Sequence, residues 1–275
     1  STDIVAAPAL FARRARRPLV VSFGRSGDSA ESVGVLDVLD ALMPDAGRFH
    51  ITCNGDGALA RRKPKAGGFQ EALVLPEACH DAGFAMTSSF TTMLLSALAV
   101  FDPVDDLAAR MRALAVEAGP VEAMPVPMRA VFLGSGPLGG AAREAALKVL
   151  ELTGGAVPVM SETVLGFRHG PKAFTTPDTR IFVFRSSDPH TARYDADLIA
   201  ELGTQFGADQ VTELGPFGPS DIWGAVLAVR EAQFHAVRWS AALGLNVDDP
   251  FAGQGTLTRV VSGVRLYDPP TGQAT

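Results

Sequence analysis

Two hydrophobic periods take turns along this chain. The run "PLVVSF" at 18–23 is short, apolar and partly β-branched, as a strand covered on both faces would be. It breaks at "GRSGDS". In the following "AESVGVLDVLDALM", Val33, Leu36, Leu39 and Leu42 recur at helical spacing. "FHITC" and "EALVLP" predict two further strands. "SSFTTMLLSALAVF" and "DDLAARMRALAVEAG" predict two helices parted at Asp102-Pro103, because a proline drives the residue before it out of the helical region. The Pro-rich "GPVEAMPVPM" at 119–128 has the composition of a linker. Beyond it the alternation restarts with strand "RAVFLG", turn "SGPLGG" and helix "AAREAALKVLEL". Then come strand "RIFVFR", turn "SSDPHT", helix "YDADLIAELGTQFG", strand "QVTEL" and the long helix "DIWGAVLAVREAQFHAVRWSAALG". This order predicts an α/β protein of two domains, 1–123 and 124–275, with mostly parallel sheets covered on both sides.

An internal repeat refines that picture. "LVVSFGRSGDSAES" and "RIFVFRSSDPHTAR" both run from an apolar strand through Arg-Ser-x-Asp into a helix. In the second half a strand and a helix precede this unit, whereas in the first half it stands near the start. The first half therefore reads as lacking its opening strand and helix, through truncation or disorder.

Composition narrows the partners. With 47% hydrophobic and 20% charged residues the chain is an ordinary globular protein, and its net charge of −6 points away from nucleic acid and membrane surfaces. No stretch of about twenty uninterrupted apolar residues occurs, and the arginines of "STDIVAAPALFARRARRPLVV" follow its apolar residues, the reverse of a signal peptide. A cytoplasmic location is expected. Cys53 and Cys79 are too few for a disulfide framework, and the five histidines show no metal-ligand spacing, so no metal is expected. Lysine is scarce, at positions 63, 65, 148 and 172 only, which limits any chemistry needing an amine nucleophile.

Four places carry candidate chemistry. In "SFGRSGDSAES" a strand passes into a helix through Ser26, Gly27, Asp28 and Ser29, with Arg25 beside them as a charged donor. Backbone N–H groups there suit an anion such as phosphate, or Ser29 and Ser32 simply cap the helix. "TSSFTT" offers Thr87 and Ser88 at a second helix start, again as ligand contacts or as N-caps. "GSGPLGG", with Ser135, permits close backbone approach to a ligand or merely a tight turn. Finally, Glu144, Lys148 and Glu151 share one helix face, and His169 follows in "FRHGPKAF". The apolar neighbours Ala145, Ala146, Leu147, Val149, Leu150 and Leu152 predict a helix buried on most sides, where such charges need a purpose.

Together "SFGRSGDSAES", "FAMTSSFTTMLL", "LGSGPLGGAAREAALKVLELT", "GFRHGPKAF" and "TRVVSGV" resemble the sugar isomerase (SIS) superfamily, and within it the tagatose-6-phosphate ketose/aldose isomerase group with its galactosamine-6-phosphate deaminases. The resemblance spans nearly the whole chain. It implies two SIS domains, each a flavodoxin-like α/β/α sandwich, acting without cofactor on a hexose 6-phosphate or amino-hexose 6-phosphate. By motif, the base between C1 and C2 falls on Glu151, its helper on Lys148 and the ring-opening residue on His169. A neighbouring subunit supplies that histidine in the glucosamine-6-phosphate synthase relative, which implies a homodimer or higher homo-oligomer. The phosphate loop falls on Ser26, Gly27 and Ser29 with Arg25 beside it, and Thr87, Ser88 and Ser135 join the expected substrate contacts. One position departs from the synthase pattern. Its Schiff-base lysine is replaced by Arg259, whose guanidinium stays protonated with a pKa above about 12 and cannot form an imine. Arg259 is left to pair with phosphate or hydroxyls, or to stand as a surface charge. Two other readings stay open here: a non-catalytic sugar-phosphate sensor, and a synthase-type isomerase.

Overall fold

The structure, a computed structural model, describes residues 2–12, 17–253 and 263–269. They fall into two compact units. The first takes its residues from within Ser1–Asp81, Ser88–Ala97 and Val260–Thr275, the second from within Ala82–Thr87 and Leu98–Arg259.

In chain order the first unit holds α1 (Thr2–Ala6), α2 (Pro8–Ala12), β1 (Leu19–Gly24), α3 (Ala30–Leu42), β2 (Gly47–Thr52), α4 (Ala58–Arg61) and β3 (Gln70–Val74). Helix α5 (Ser88–Phe101) divides between the units. The strands form a parallel sheet of order β1-β2-β3. α3 lays Val35, Val38 and Leu39, with Met43 just past its end, against Ile4 and Ala46; of the predicted repeat Leu36 and Leu39 are buried while Val33 and Leu42 are half-buried. On β2, Arg48 is fully buried against Asp40 of α3 at 2.7 Å. Burial drives the Asp40 carboxyl up, but hydrogen bonds from Arg48, Arg62 and the Lys65 amide outweigh it and hold the group below the usual range.

The second unit continues with α6 (Leu107–Glu117), β4 (Arg129–Leu133), α7 (Pro137–Leu152), β5 (Val159–Glu162) and α8 (Val164–Phe167). It ends with β6 (Thr179–Phe184), α9 (Thr191–Phe206), β7 (Val211–Leu214) and α10 (Asp221–Ala242). Its parallel sheet has the order β5-β4-β6-β7. Val131, Leu133, Ile181 and Val183 pack with Val164, Phe167, Leu198 and Leu202 on the α8–α9 face. Their alternate neighbours face the other way: Phe132 stacks on Phe182 at 4.8 Å, and Phe182 meets His235 and Trp239 of α10. Burial on both faces is why "RAVFLG" and "RIFVFR" read as unbroken apolar runs. This is the mixed α/β fold with parallel sheets that the sequence predicts.

Three local readings change. Helix α7 starts at Pro137, so "PLGG" is its first turn rather than part of the loop. Proline suits that first position, where its missing N–H costs nothing, and Leu138 is buried. Strand β5 and the short α8 were not predicted. Residues 119–128 have no helix or strand but are bonded to α10: Arg230 donates to the Gly119 carbonyl, Arg238 to Val121 and Trp239 Nε1 to Met124. Among the described residues no helix is long and apolar enough to cross a membrane.

Candidate active site

In the second unit, α7 builds a charged group inside an apolar helix face. Ala141, Ala142, Ala145, Ala146, Val149 and Leu152 are buried, and so is Lys148, whose side chain is 2% exposed. Its stem lies with the apolar positions while Nζ reaches two carboxylates of the same helix. It lies 3.4 Å from Glu144 Oε1 one turn back and donates to Glu151 Oε2 at 2.5 Å one turn on. The two glutamates are 15% and 24% exposed, so Glu151 is the more open end. Burial pushes the Glu144 carboxyl up, with Glu151 repulsion adding to it and Lys148 opposing. One ammonium thus serves two carboxylates, and the more buried of them, Glu144, is inclined to keep a proton. The expectation that α7 is buried on most sides is corrected: Leu147 and Leu150 are 42% and 45% exposed. They lie with Arg143 on the outward face, where apolar composition alone is no guide to burial.

His169 lies in the same unit, exposed between α8 and a 3₁₀ turn at Gly170–Phe174. Its N–H donates to the Gly166 carbonyl at 3.2 Å and its own carbonyl accepts from Lys172 N–H at 3.3 Å. Among the described residues no hydrogen bond or ion pair joins its ring to Lys148, Glu144 or Glu151. The flanking Arg168 and Lys172 both turn to Glu201 on α9, and the Lys172 hydrogen bond holds that carboxyl below the usual range. Ser135 lies in the β4–α7 connection, its carbonyl accepting from Leu138 N–H at 3.0 Å. There a Cβ on Gly134 would come within 2.4 Å of the Leu138 oxygen, so a tight strand-to-helix turn is itself sufficient reason for that glycine.

The first unit holds the serine loop. Ser26 is exposed, Gly27 is buried at φ +71°, and a Cβ there would press on Thr52 and Leu59. Asp28 N–H donates to Ser26 Oγ at 3.3 Å, which leaves the Ser26 hydroxyl proton directed elsewhere. Ser29 Oγ caps α3 by accepting from Ser32 N–H at 3.1 Å, as one of the two open readings has it. Arg25 is half-buried beside them. Asn54, which sequence reasoning missed, and Asp28 of the loop itself fix it: Asn54 Nδ2 donates to the Ser26 carbonyl at 2.9 Å, and Asp28 Oδ1 accepts from Ala58 N–H at 2.7 Å. At α5 the capping group is neither Thr87 nor Ser88. The carboxylate of Asp81 accepts from Ser88 N–H at 2.8 Å and Ser89 N–H at 2.9 Å, so these amides are already engaged by an anion. Arg259 lies outside the described residues.

The repeated loop of the second unit differs from the first. Asp221, in the first turn of α10, accepts from Ser186 Oγ at 2.5 Å, Ser187 N–H at 2.6 Å and Ser187 Oγ at 2.7 Å. Buried Asp195 takes Ser186 N–H at 2.8 Å, and burial pushes its carboxyl up. The hydroxyls and amides that an anion would use in this copy are taken by the chain's own carboxylates.

Comparison with known proteins follows the same lines. A Streptomyces coelicolor AgaS protein is 42% identical over 299 residues, covering 97% of this chain and 76% of its own length. The D-galactosamine-6-phosphate deaminase AgaS of Escherichia coli is 39% identical over 295 residues, with the same coverage. The crystal structure of tagatose-6-phosphate ketose/aldose isomerase from Escherichia coli superposes with a TM-score of 0.83 at 35% identity, covering 97% of this chain and 76% of that one. No protein-family model matches the chain.

Proposed function

The chain belongs to the AgaS family of sugar-phosphate isomerases and deaminases in the SIS superfamily, and from that premise we propose that it converts galactosamine 6-phosphate to tagatose 6-phosphate and ammonia. The single observation that supports this most is Lys148, buried between Glu144 and Glu151 on one helix face. A lysine out of water with two carboxylates is a costly arrangement, and proton transfer at carbon is a use that fits it.

On this reading the Ser26–Ser29 loop binds the 6-phosphate and supplies remote binding energy. His169, supplied by a second copy of the chain, moves the proton that opens the pyranose, a task suited to imidazole near neutrality. Glu151 removes the C2 proton and returns it to C1 through an enolamine, while Lys148 holds the carboxylate and stabilises the developing charge. The resulting C2 ketimine adds water and releases ammonia, leaving the ketose. No amine of the enzyme takes part, in keeping with arginine at position 259. With a neutral hexose 6-phosphate the same transfer gives simple aldose–ketose isomerisation.

Ammonia release from galactosamine 6-phosphate, run against glucosamine 6-phosphate, tests the reading. We expect release from the first, and Glu151→Gln should lower turnover by about 10²–10⁴-fold and abolish solvent-deuterium incorporation into the sugar. Ammonia from neither sugar would remove the deaminase assignment, and full activity of Glu151→Gln would remove the base.

A further inference from the structure

The turn that carries His169 is fastened on both sides to one carboxylate. Arg168, immediately before the histidine, places Nε 3.0 Å from Glu201 Oε2, an ion pair whose N–H is not aligned for a hydrogen bond. Lys172, three residues after the histidine, donates from Nζ to Glu201 Oε1 and to Gln205 Oε1, the latter at 3.1 Å. Glu201 and Gln205 stand one turn apart on α9, so both fastenings converge on a single helix face. The side chains of Arg168, Lys172 and Glu201 are 16–30% exposed, well short of the freedom of surface ion pairs. Phe167, fully buried, and Phe174, packed on the same core, pin the ends of the segment. Between them His169 has, among the described residues, only its backbone bonds to Gly166 and Lys172, and its ring stays exposed. An imidazole presented this way on a short turn owes its direction to the turn. Neither the sequence motif nor the proposed mechanism gives Glu201 a role.

We propose that Glu201 is a positioning residue, which holds His169 at the angle needed for ring opening by clamping Arg168 and Lys172. The inference rests on the reading of His169 given above. A double-mutant cycle separates the two. His169→Asn should lower kcat by about 10²-fold, the usual worth of a positioned acid–base group. Glu201→Ala should lower kcat by about tenfold, with KM held within about twofold, because lost orientation costs rate rather than binding. In the double variant the losses should not multiply: once the imidazole is gone, its clamp has nothing to aim. Glu201→Gln should fall between Glu201→Ala and the unmodified protein. If Glu201→Ala proves too unstable to assay, Lys172→Met cuts the same clamp from the turn side and takes its place in the cycle.

Two results would overturn the clamp while leaving His169 in its role: Glu201→Ala at full kcat, or a double variant whose loss is the product of the single ones. The second is what a merely structural contribution of Glu201 would give. A fully active His169→Asn would remove the histidine from the mechanism and the clamp with it.

Discussion

Lys148 concentrates the single-residue question, because removing one buried charge exposes what the others were doing. Lys148→Met keeps the volume but leaves two partly buried carboxylates of one helix facing each other, one of them already pushed up by burial. Breaking a buried ion pair costs about 3–5 kcal/mol, and the partial exposure of Glu151 lowers the expected loss to about 2–3 kcal/mol. Urea unfolding at neutral pH measures it. An unshifted midpoint would mean that the ammonium is not what allows the carboxylates to be there. This trio was legible in the sequence because positions 144, 148 and 151 share a face of any helix. The residues that fix the site from outside were not. Asp28 meets Ala58 and Asn54 meets Ser26 across about thirty residues, Glu201 meets Lys172 across 29, and Asp221 meets Ser186 across 35. No period or local composition signals such pairings, which exist only once the parallel strands have brought successive loops together.

Helices and strands were legible where burial imposes one period over a long run. The misses have physical causes. Strand β5 is four residues long beside a proline, too short for a period to declare itself, and α8 is a single turn. The stretch 119–128 reads as punctuation because proline excludes regular hydrogen bonding, yet three side chains of α10 satisfy its carbonyls instead. α10 also carries the clearest pH dependence. His235, 2% exposed, stacks on Trp239 at 5.5 Å, and burial, assisted by Arg238, lowers its pKa to about 4. The folded form therefore binds fewer protons than the unfolded one, whose histidine titrates near 6.5. Its contribution is complete above pH 6.5 and is lost progressively as pH falls toward 4, by roughly 3 kcal/mol in all. His235→Gln should flatten the fall in unfolding free energy across that window. Unfolding curves at pH 7, 6 and 5 would check it, and an unchanged slope would place the dependence elsewhere.

For the molecule as a whole, the notable relation is between two copies of one motif that have taken different paths. The Arg-Ser-x-Asp turn after β1 leaves Ser26 exposed, while its counterpart after β6 is closed by Asp221. Sequence similarity revealed the repeat but not the closure, since the closing residue comes from another helix. Inorganic phosphate titrated calorimetrically should therefore saturate at one equivalent per chain, and a second equivalent would show that Asp221 can be displaced. A carboxylate tethered through the backbone competes for those donors as an intramolecular partner, without the association cost that a dissolved anion must meet. The later copy of the turn is in that sense a rivet: it joins the end of β6 to the start of α10 through the same kind of donors that, on the proposed reading, the earlier copy would offer to phosphate.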